Sequence, residues 1–174
     1  MKCFAVLLTG FAAFFGGCAT KNLPSTVSSV DLGRYAGTWH EVARIPNWFQ
    51  RKCVGSSTAT YIPRSDGTIS IINTCVDKNG GEIGVKGRAR VVPGYGNARL
   101  KVKFFPPFEG DYWVLGLDED NYRWAVVGHP SRNYLWFLSR SPRVSEETYR
   151  HMLAIAEGAG YDLGRIRRVH VSHN

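Results

Sequence analysis

From Thr38 onward, apolar and polar residues alternate with a period close to two, and turn-forming residues interrupt the pattern every eight to fourteen positions. Alternation of this kind puts every second side chain on one face of an extended strand. The predicted strands are 39–45, 56–62, 68–76, 83–92, 99–105, 111–117, 122–128 and 134–139. Pro46, the run Pro63 to Gly67, Asp77 to Gly81, Pro93 to Asn97, Pro106 to Gly110, Asp118 to Asn121 and His129 to Asn133 separate them. Eight strands joined in order by short turns describe an up-and-down meander, which hides its edges by closing. The expected fold is therefore all-β, an eight-stranded antiparallel up-and-down β-barrel, with room inside for side chains or one small ligand.

The period changes once. Tyr149, Met152, Leu153 and Ala156 recur at helical spacing, Ser145 can cap their helix, Glu146 and Glu147 suit its positive end, and Gly158 or Gly160 ends it. This C-terminal α-helix is expected against the barrel wall, followed by a short ninth strand over 166–171. At the other end, Gly37 precedes Trp39 by two residues, and an indole at the start of the first strand can plug one end of a small barrel.

Residues 1–17 read as an export signal, with Lys2 before an apolar stretch and Gly16-Gly17 before Cys18. Small residues directly before a cysteine describe a lipoprotein signal, although Phe15 stands where that motif usually has Leu; an ordinary signal cut near Cys18 is the alternative. On the lipoprotein reading Cys18 is the lipidation site, and several acyl chains there anchor the chain stably. Ala19 rather than Asp after the cysteine implies, by resemblance to enterobacterial lipoproteins, sorting to the outer membrane, lipid-anchored on its periplasmic side. Residues 18–29 then read as a flexible lipidated tether and 30–174 as one domain.

The formal charge of +8 is spread along strand-like segments. It suits either a solvated basic surface or attraction to anionic lipid head groups, and no basic helix or stacking motif points to nucleic acid. Export makes a disulfide plausible for Cys53 and Cys75, with a free buried thiol as the alternative for either. Counting across a turn near Arg64 to Asp66 pairs Ser57 with Ile71, Ala59 with Ile69 and Cys53 with Cys75, which brings the two cysteines within bridging range.

Three blocks in order now resemble the lipocalin family: Gly37-Thr38-Trp39; Leu117-Asp118 with Tyr122; and Leu138-Ser139-Arg140-Ser141-Pro142. The resemblance covers nearly all of the chain from Val30 to Val171 and is strongest to bacterial outer-membrane lipoprotein lipocalins and their apolipoprotein D-like relatives. It implies that Gly37, Trp39, Asp118, Tyr122 and Arg140 are structural, with Arg140 over the indole of Trp39. His40 stands where an aromatic Tyr is usual.

Alternation from Trp39, helped by the family pattern, points Glu41, Ala43 and Ile45 inward on the first strand. It does the same for Ala59, Tyr61, Ile69, Ile71 and Asn73, then Val85, Ala89 and Val91. Leu100, Val102, Phe104, Tyr112, Val114, Tyr134, Trp136 and Leu138 complete the lining, and the phase of the seventh strand stays open. Small and apolar inward residues suit an elongated apolar ligand. The expected ligand contacts are Ala43, Trp48, Phe49, Ala59, Tyr61, Ile71, Asn73, Val85, Val102, Phe104, Tyr112, Tyr134 and Trp136. Trp48, Phe49 and the run Phe105 to Phe108 fall at the mouth, as a membrane-facing portal or as a lid, with Arg51, Lys52 and Arg132 as cations for a ligand head group. An inward Glu41 needs a partner, either structural groups near Trp39 and Arg140, the favoured reading, or a polar feature of the ligand.

What the resemblance implies is a carrier of fatty acids or lysophospholipids for lipid storage, transport or membrane maintenance, with no catalytic residue, cofactor or metal. A homodimer is left open. Two rivals are a lipocalin-fold enzyme, which would pair Glu41 with Tyr61 or Tyr112, and a haem or pigment carrier, for which no inward His is evident. His170 and His173 could make a stray metal contact but read as a frayed tail.

Overall fold

The computed structural model describes residues 22–169, so the export signal, Cys18, His170 and His173 lie outside the described residues. Among the described residues nine strands form one sheet, and a pairing between its first and second strands closes it into a barrel. The strands are β1 Gly37–Arg44, β2 Ser57–Pro63, β3 Ile69–Val76, β4 Glu82–Val91, β5 Arg99–Lys103, β6 Gly110–Leu117, β7 Trp124–Gly128, β8 Leu135–Ser139 and β9 Arg167–Arg168. Neighbours from β1 to β8 pair antiparallel all the way round, and β9 adds to the outside of β1 at Ala43 and Arg44. The predicted strands are present with small changes at their ends. Tyr122 falls outside β7 because it takes φ 54° in the preceding turn, and the described part of the ninth strand is two residues long.

The register of β2 on β3 differs from the predicted one by four residues: Ser57 faces Cys75 and Ala59 faces Asn73. The turn closes later than expected, with the Arg64 N–H donating to Thr68 O, so Asp66 rather than Arg64 is its centre. A shift of four is even, and an even shift leaves every side chain on the same face of the sheet.

Two apolar layers hold the fold. One fills the lower barrel with Trp39, Tyr61, Ile69, Ile71, Leu100, Tyr112, Val114, Leu117, Ala125, Val127 and Leu138. The placement of Ala125 and Val127 settles the phase of β7. The other lies outside the barrel, where α2 (Glu146–Gly158) lays Tyr149, Met152 and Ala156 on Val126, Leu135 and Phe137. The Ser145 hydroxyl caps α2 by accepting the Thr148 N–H at 3.1 Å. Gly116 gives the helix room, because a Cβ there would meet Ile155 at 2.7 Å. Full burial of a side chain such as Met152 stabilises by about 1.5–3 kcal/mol, which is why a helix of ordinary propensity stays on the wall. Among the described residues no helix is long and apolar enough to cross a membrane.

The predicted tether is packed over its described part. Pro24 and Val30 are buried, the Val27 N–H donates to Val114 O at 3.0 Å, and the Val30 N–H donates to Gly96 O at 2.7 Å. Arg132 Nη2 donates to Asn22 O at 2.5 Å, and its Nε donates to Ala159 O at 2.7 Å. Residues 22–30 thus run down the barrel as a strap, held by backbone bonds that leave no hydrophobic period in the sequence. The strap leads into α1, Leu32–Tyr35, capped by the Asp31 carboxylate, which accepts the Gly33 N–H at 2.8 Å.

Candidate functional site: the barrel interior and its mouth

The floor of the barrel is built from its first strand. The Trp39 indole is fully buried and donates from Nε1 to Tyr35 O at 2.8 Å. Arg140, at the end of β8, lies 3.9 Å over the indole ring. Its guanidinium donates to Thr38 O, Arg34 O, Ala36 O and Tyr122 O, so one cation satisfies the carbonyls at the end of α1 and joins the floor to β1. Gly37 takes φ 92°, and a Cβ there would press on Arg140 Nη1 at 3.4 Å. Tyr122 accepts the Asp31 N–H on its hydroxyl, while Asp118 accepts from Arg123 Nε at 2.7 Å and closes the β6–β7 turn.

Above the indole, three tyrosines share their hydroxyls. Tyr112 Oη lies 2.8 Å from Tyr35 Oη and 2.9 Å from Tyr61 Oη. Burial raises all three phenols well above the ordinary tyrosine range, so they stay neutral and act as hydrogen-bonding groups only.

The upper half differs. Val102, Phe104 and Trp136 line the interior yet keep part of their surface exposed, and so do Ala59, which pairs directly with Trp39, and Asn73 and Val85, the next positions in register beyond it. Gly87 lets Phe104 lie flat across the wall, since a Cβ there would meet the ring at 2.5 Å. Asn73 Oδ1 is buried without a hydrogen-bond partner.

A polar cluster sits near the top, and a β-bulge creates it. The register of β1 on β8 shifts between Glu41 and Ala43. Val42 and Ala43 both fall in the layer under α2, together with Ile45, which removes Ala43 and Ile45 from the predicted lining. Arg44 is turned to the side of Glu41 instead. Its Nη1 pairs with Glu41 Oε1 and its Nη2 donates to Cys53 O at 3.1 Å. Glu41 therefore finds its partner in Arg44, not near Arg140. Gln50 Nε2 donates to Glu41 Oε2 at 2.9 Å, the Ser57 hydroxyl donates to the same oxygen at 3.4 Å, and Trp136 Nε1 donates to Gln50 Oε1 at 3.0 Å. Arg44, Gln50 and Ser57 are site residues that alternation missed. The adjacent apolar pair Val42-Ala43, which breaks strict period two, is the trace that the bulge leaves in the sequence.

At the mouth, Trp48–Gln50 forms a single 3-10 turn capped by Asn47. Phe49 lies with its ring centroid 5.7 Å from Tyr134 and 6.3 Å from Trp136, and the largely exposed Trp48 packs edge-on against it at 5.6 Å. Arg132 is not a mouth cation, because its guanidinium is spent on Ala159 O and Asn22 O. Cys53 and Cys75 form a disulfide with a Cα–Cα distance of 5.5 Å. Cys53 reaches its partner from the loop before β2, where the Val54 and Gly55 N–H groups both donate to Val76 O. The bridge is the one expected, while the cross-strand register that suggested it is not the one observed.

Two depressions on the outer surface, of about 170 and 160 Å3, lie beside Arg140 and over β4–β5, and neither belongs to the interior. Among the described histidines, His40 alternates outward beside Trp39, His129 packs on Tyr134 and His151 lies against Trp124.

A closed eight-stranded antiparallel barrel, plugged at one end by Trp39 and Arg140 and flanked by a C-terminal helix, defines a class of single-chamber binding barrels. A family model described as a lipocalin-like domain matches residues 30–171, and the chain belongs to the lipocalin family. It is 38% identical over 170 residues to the outer membrane lipoprotein Blc of Escherichia coli (strain K12), covering 95% of each chain. It is 41% identical over 150 residues to temperature-induced lipocalin-1 of Arabidopsis thaliana, covering 82% of this chain and 80% of that one. Among solved structures, insecticyanin from the tobacco hornworm Manduca sexta superimposes with a TM-score of 0.70 at 21% identity, covering 86% of this chain and 85% of that one; this similarity concerns the fold alone.

Proposed function

We propose that the protein is a lipid carrier, anchored in the outer membrane on its periplasmic side through an acylated Cys18. It holds the acyl chain of a fatty acid or lysophospholipid in the upper barrel for storage, transport or membrane maintenance. The observation that carries this reading is the contrast inside the barrel: inward side chains are sealed below the tyrosine hydroxyls and part-exposed above them. A chamber lined by Ala59, Val85, Val102, Phe104 and Trp136 takes an alkyl chain, with Tyr61, Tyr112 and Ile71 as its base. The ligand's polar end faces Asn73 and the Glu41–Arg44–Gln50 cluster, below Tyr134 and Phe49. Similarity to an outer membrane lipoprotein supports the anchor.

The reading requires no chemistry. The carboxylate of Glu41 is committed to Arg44, and the hydroxyls of Tyr61 and Tyr112 are committed to each other, so the acid–base pair an enzyme would need is not formed. Native mass spectrometry of the purified protein tests the proposal: a bound fatty acid or lysophospholipid is expected. Absence of any apolar ligand, together with tryptophan emission that fatty-acid titration leaves unchanged, would refute it.

A further inference from the structure

The mouth carries apolar surface that the chamber does not use. Trp48 is 66% exposed, Phe105 61% and Phe108 76%. They sit on the β1–β2 and β5–β6 connections, four strand steps apart in a barrel of eight and therefore on opposite sides of one opening. Arg51, Lys52 and Lys78, on connections at the same end, are exposed as well. Aromatic rings flanked by cations suit the head-group layer of a phospholipid bilayer, where amphipathic rings and lipid phosphates meet.

The strap gives an independent indication of direction. It leaves the closed end at Val30, passes Val114 at Val27, and reaches Arg132 in the β7–β8 connection, at the mouth end, at Asn22. Four residue-to-residue steps lead from Asn22 to Cys18, a reach of at most about 14 Å at full extension. The closed end lies a strand's length away, about 26 Å for the eight residues of β1. A lipid on Cys18 therefore brings the bilayer to the mouth and not to the floor.

We propose that the mouth docks onto the phospholipid surface that holds the anchor, with Trp48, Phe105 and Phe108 in the head-group layer and Arg51, Lys52 and Lys78 against lipid phosphates. The proposal rests on acylation of Cys18 as stated above. Docked in this way, the chamber opens onto the bilayer, and an acyl chain passes between them without crossing water. The anchor keeps a weakly binding rim at high local concentration, so a modest patch suffices.

The test uses the full acylated protein in vesicles of phosphatidylethanolamine and phosphatidylglycerol carrying brominated acyl chains. Flotation with the vesicles reads the anchor, and tryptophan quenching reads the docking. Wild type is expected to float and to lose emission that Trp48→Phe, which also floats, does not lose. Phe105→Ser with Phe108→Ser is expected to reduce that quenching, and Ile62→Ser with Tyr95→Ser, at the closed end, to leave it intact. Protein that floats with Trp48 unquenched, or with quenching sensitive to the closed-end pair alone, overturns the docking and spares the anchor. Protein that does not float overturns the anchor and the orientation with it.

Discussion

The two halves of the barrel interior are made by the same strands and follow opposite rules. Below, large rings and branched side chains interlock around Trp39, the indole N–H and the Arg140 guanidinium have named partners, and Arg140 seals the end from outside. Above, the inward positions are small or rest flat on the wall, one amide oxygen has no partner, and a buried ion pair hangs under the opening. The lower half is a filled core in which lost volume costs stability. The upper half is less tightly sealed, and on the carrier reading added volume there should cost binding. One sheet supplies both because its strands are long enough to carry each layer separately.

Trp39→Ala should give the largest effect. A fully buried aromatic removed from the floor costs about 3–5 kcal/mol, and Arg140 loses its stacking surface as well. Urea unfolding measures it, and a loss under about 1 kcal/mol would mean that the floor is not a packed core. Next comes the disulfide. Cys53→Ala with Cys75→Ala opens a loop with a sequence separation of 22 residues, and a loss of about 3 kcal/mol is expected in the same assay.

A matched pair of insertions sharpens the comparison. Ala125→Leu overfills the lower layer and should cost about 1–3 kcal/mol, whereas Val85→Trp, at a part-exposed inward position two pairings away from Ala59, should cost little stability. The unfolding midpoints of the two variants separate the halves directly; equal losses would erase the distinction.

The smallest effect belongs to the tyrosine hydroxyls. Tyr35, Tyr61 and Tyr112 titrate above their unfolded value of 10.0 because burial disfavours the phenolate. The stability tied to their neutral forms is full below pH 10 and is lost as the pH rises past it, since the unfolded chain then releases protons that the folded barrel retains. Stability should therefore fall as the pH rises above 10, and fall less in Tyr112→Phe; a midpoint that does not change above pH 10 would show that the three phenols titrate normally.

The barrel was legible in the sequence because its strands alternate cleanly and Pro, Gly, Asn and Asp mark every turn. The inward set survived an error of register between β2 and β3, since the error was an even number of residues. The bulge in β1 is an odd change, so it moved Ala43 and Ile45 outside and brought Arg44 in. Nothing in period two announces such a step except the adjacent Val42 and Ala43. The strap over residues 22–30 was read as a free tether for a different reason: backbone groups make its bonds, and those are the same for any sequence.

The most direct test of the two-halves account is a calorimetric titration of wild type and Val85→Trp with a lysophospholipid, each beside its melting midpoint. The expected result is saturable binding by wild type that Val85→Trp loses at an essentially unchanged midpoint. Undiminished binding by Val85→Trp, or binding lost only in step with stability, would contradict it.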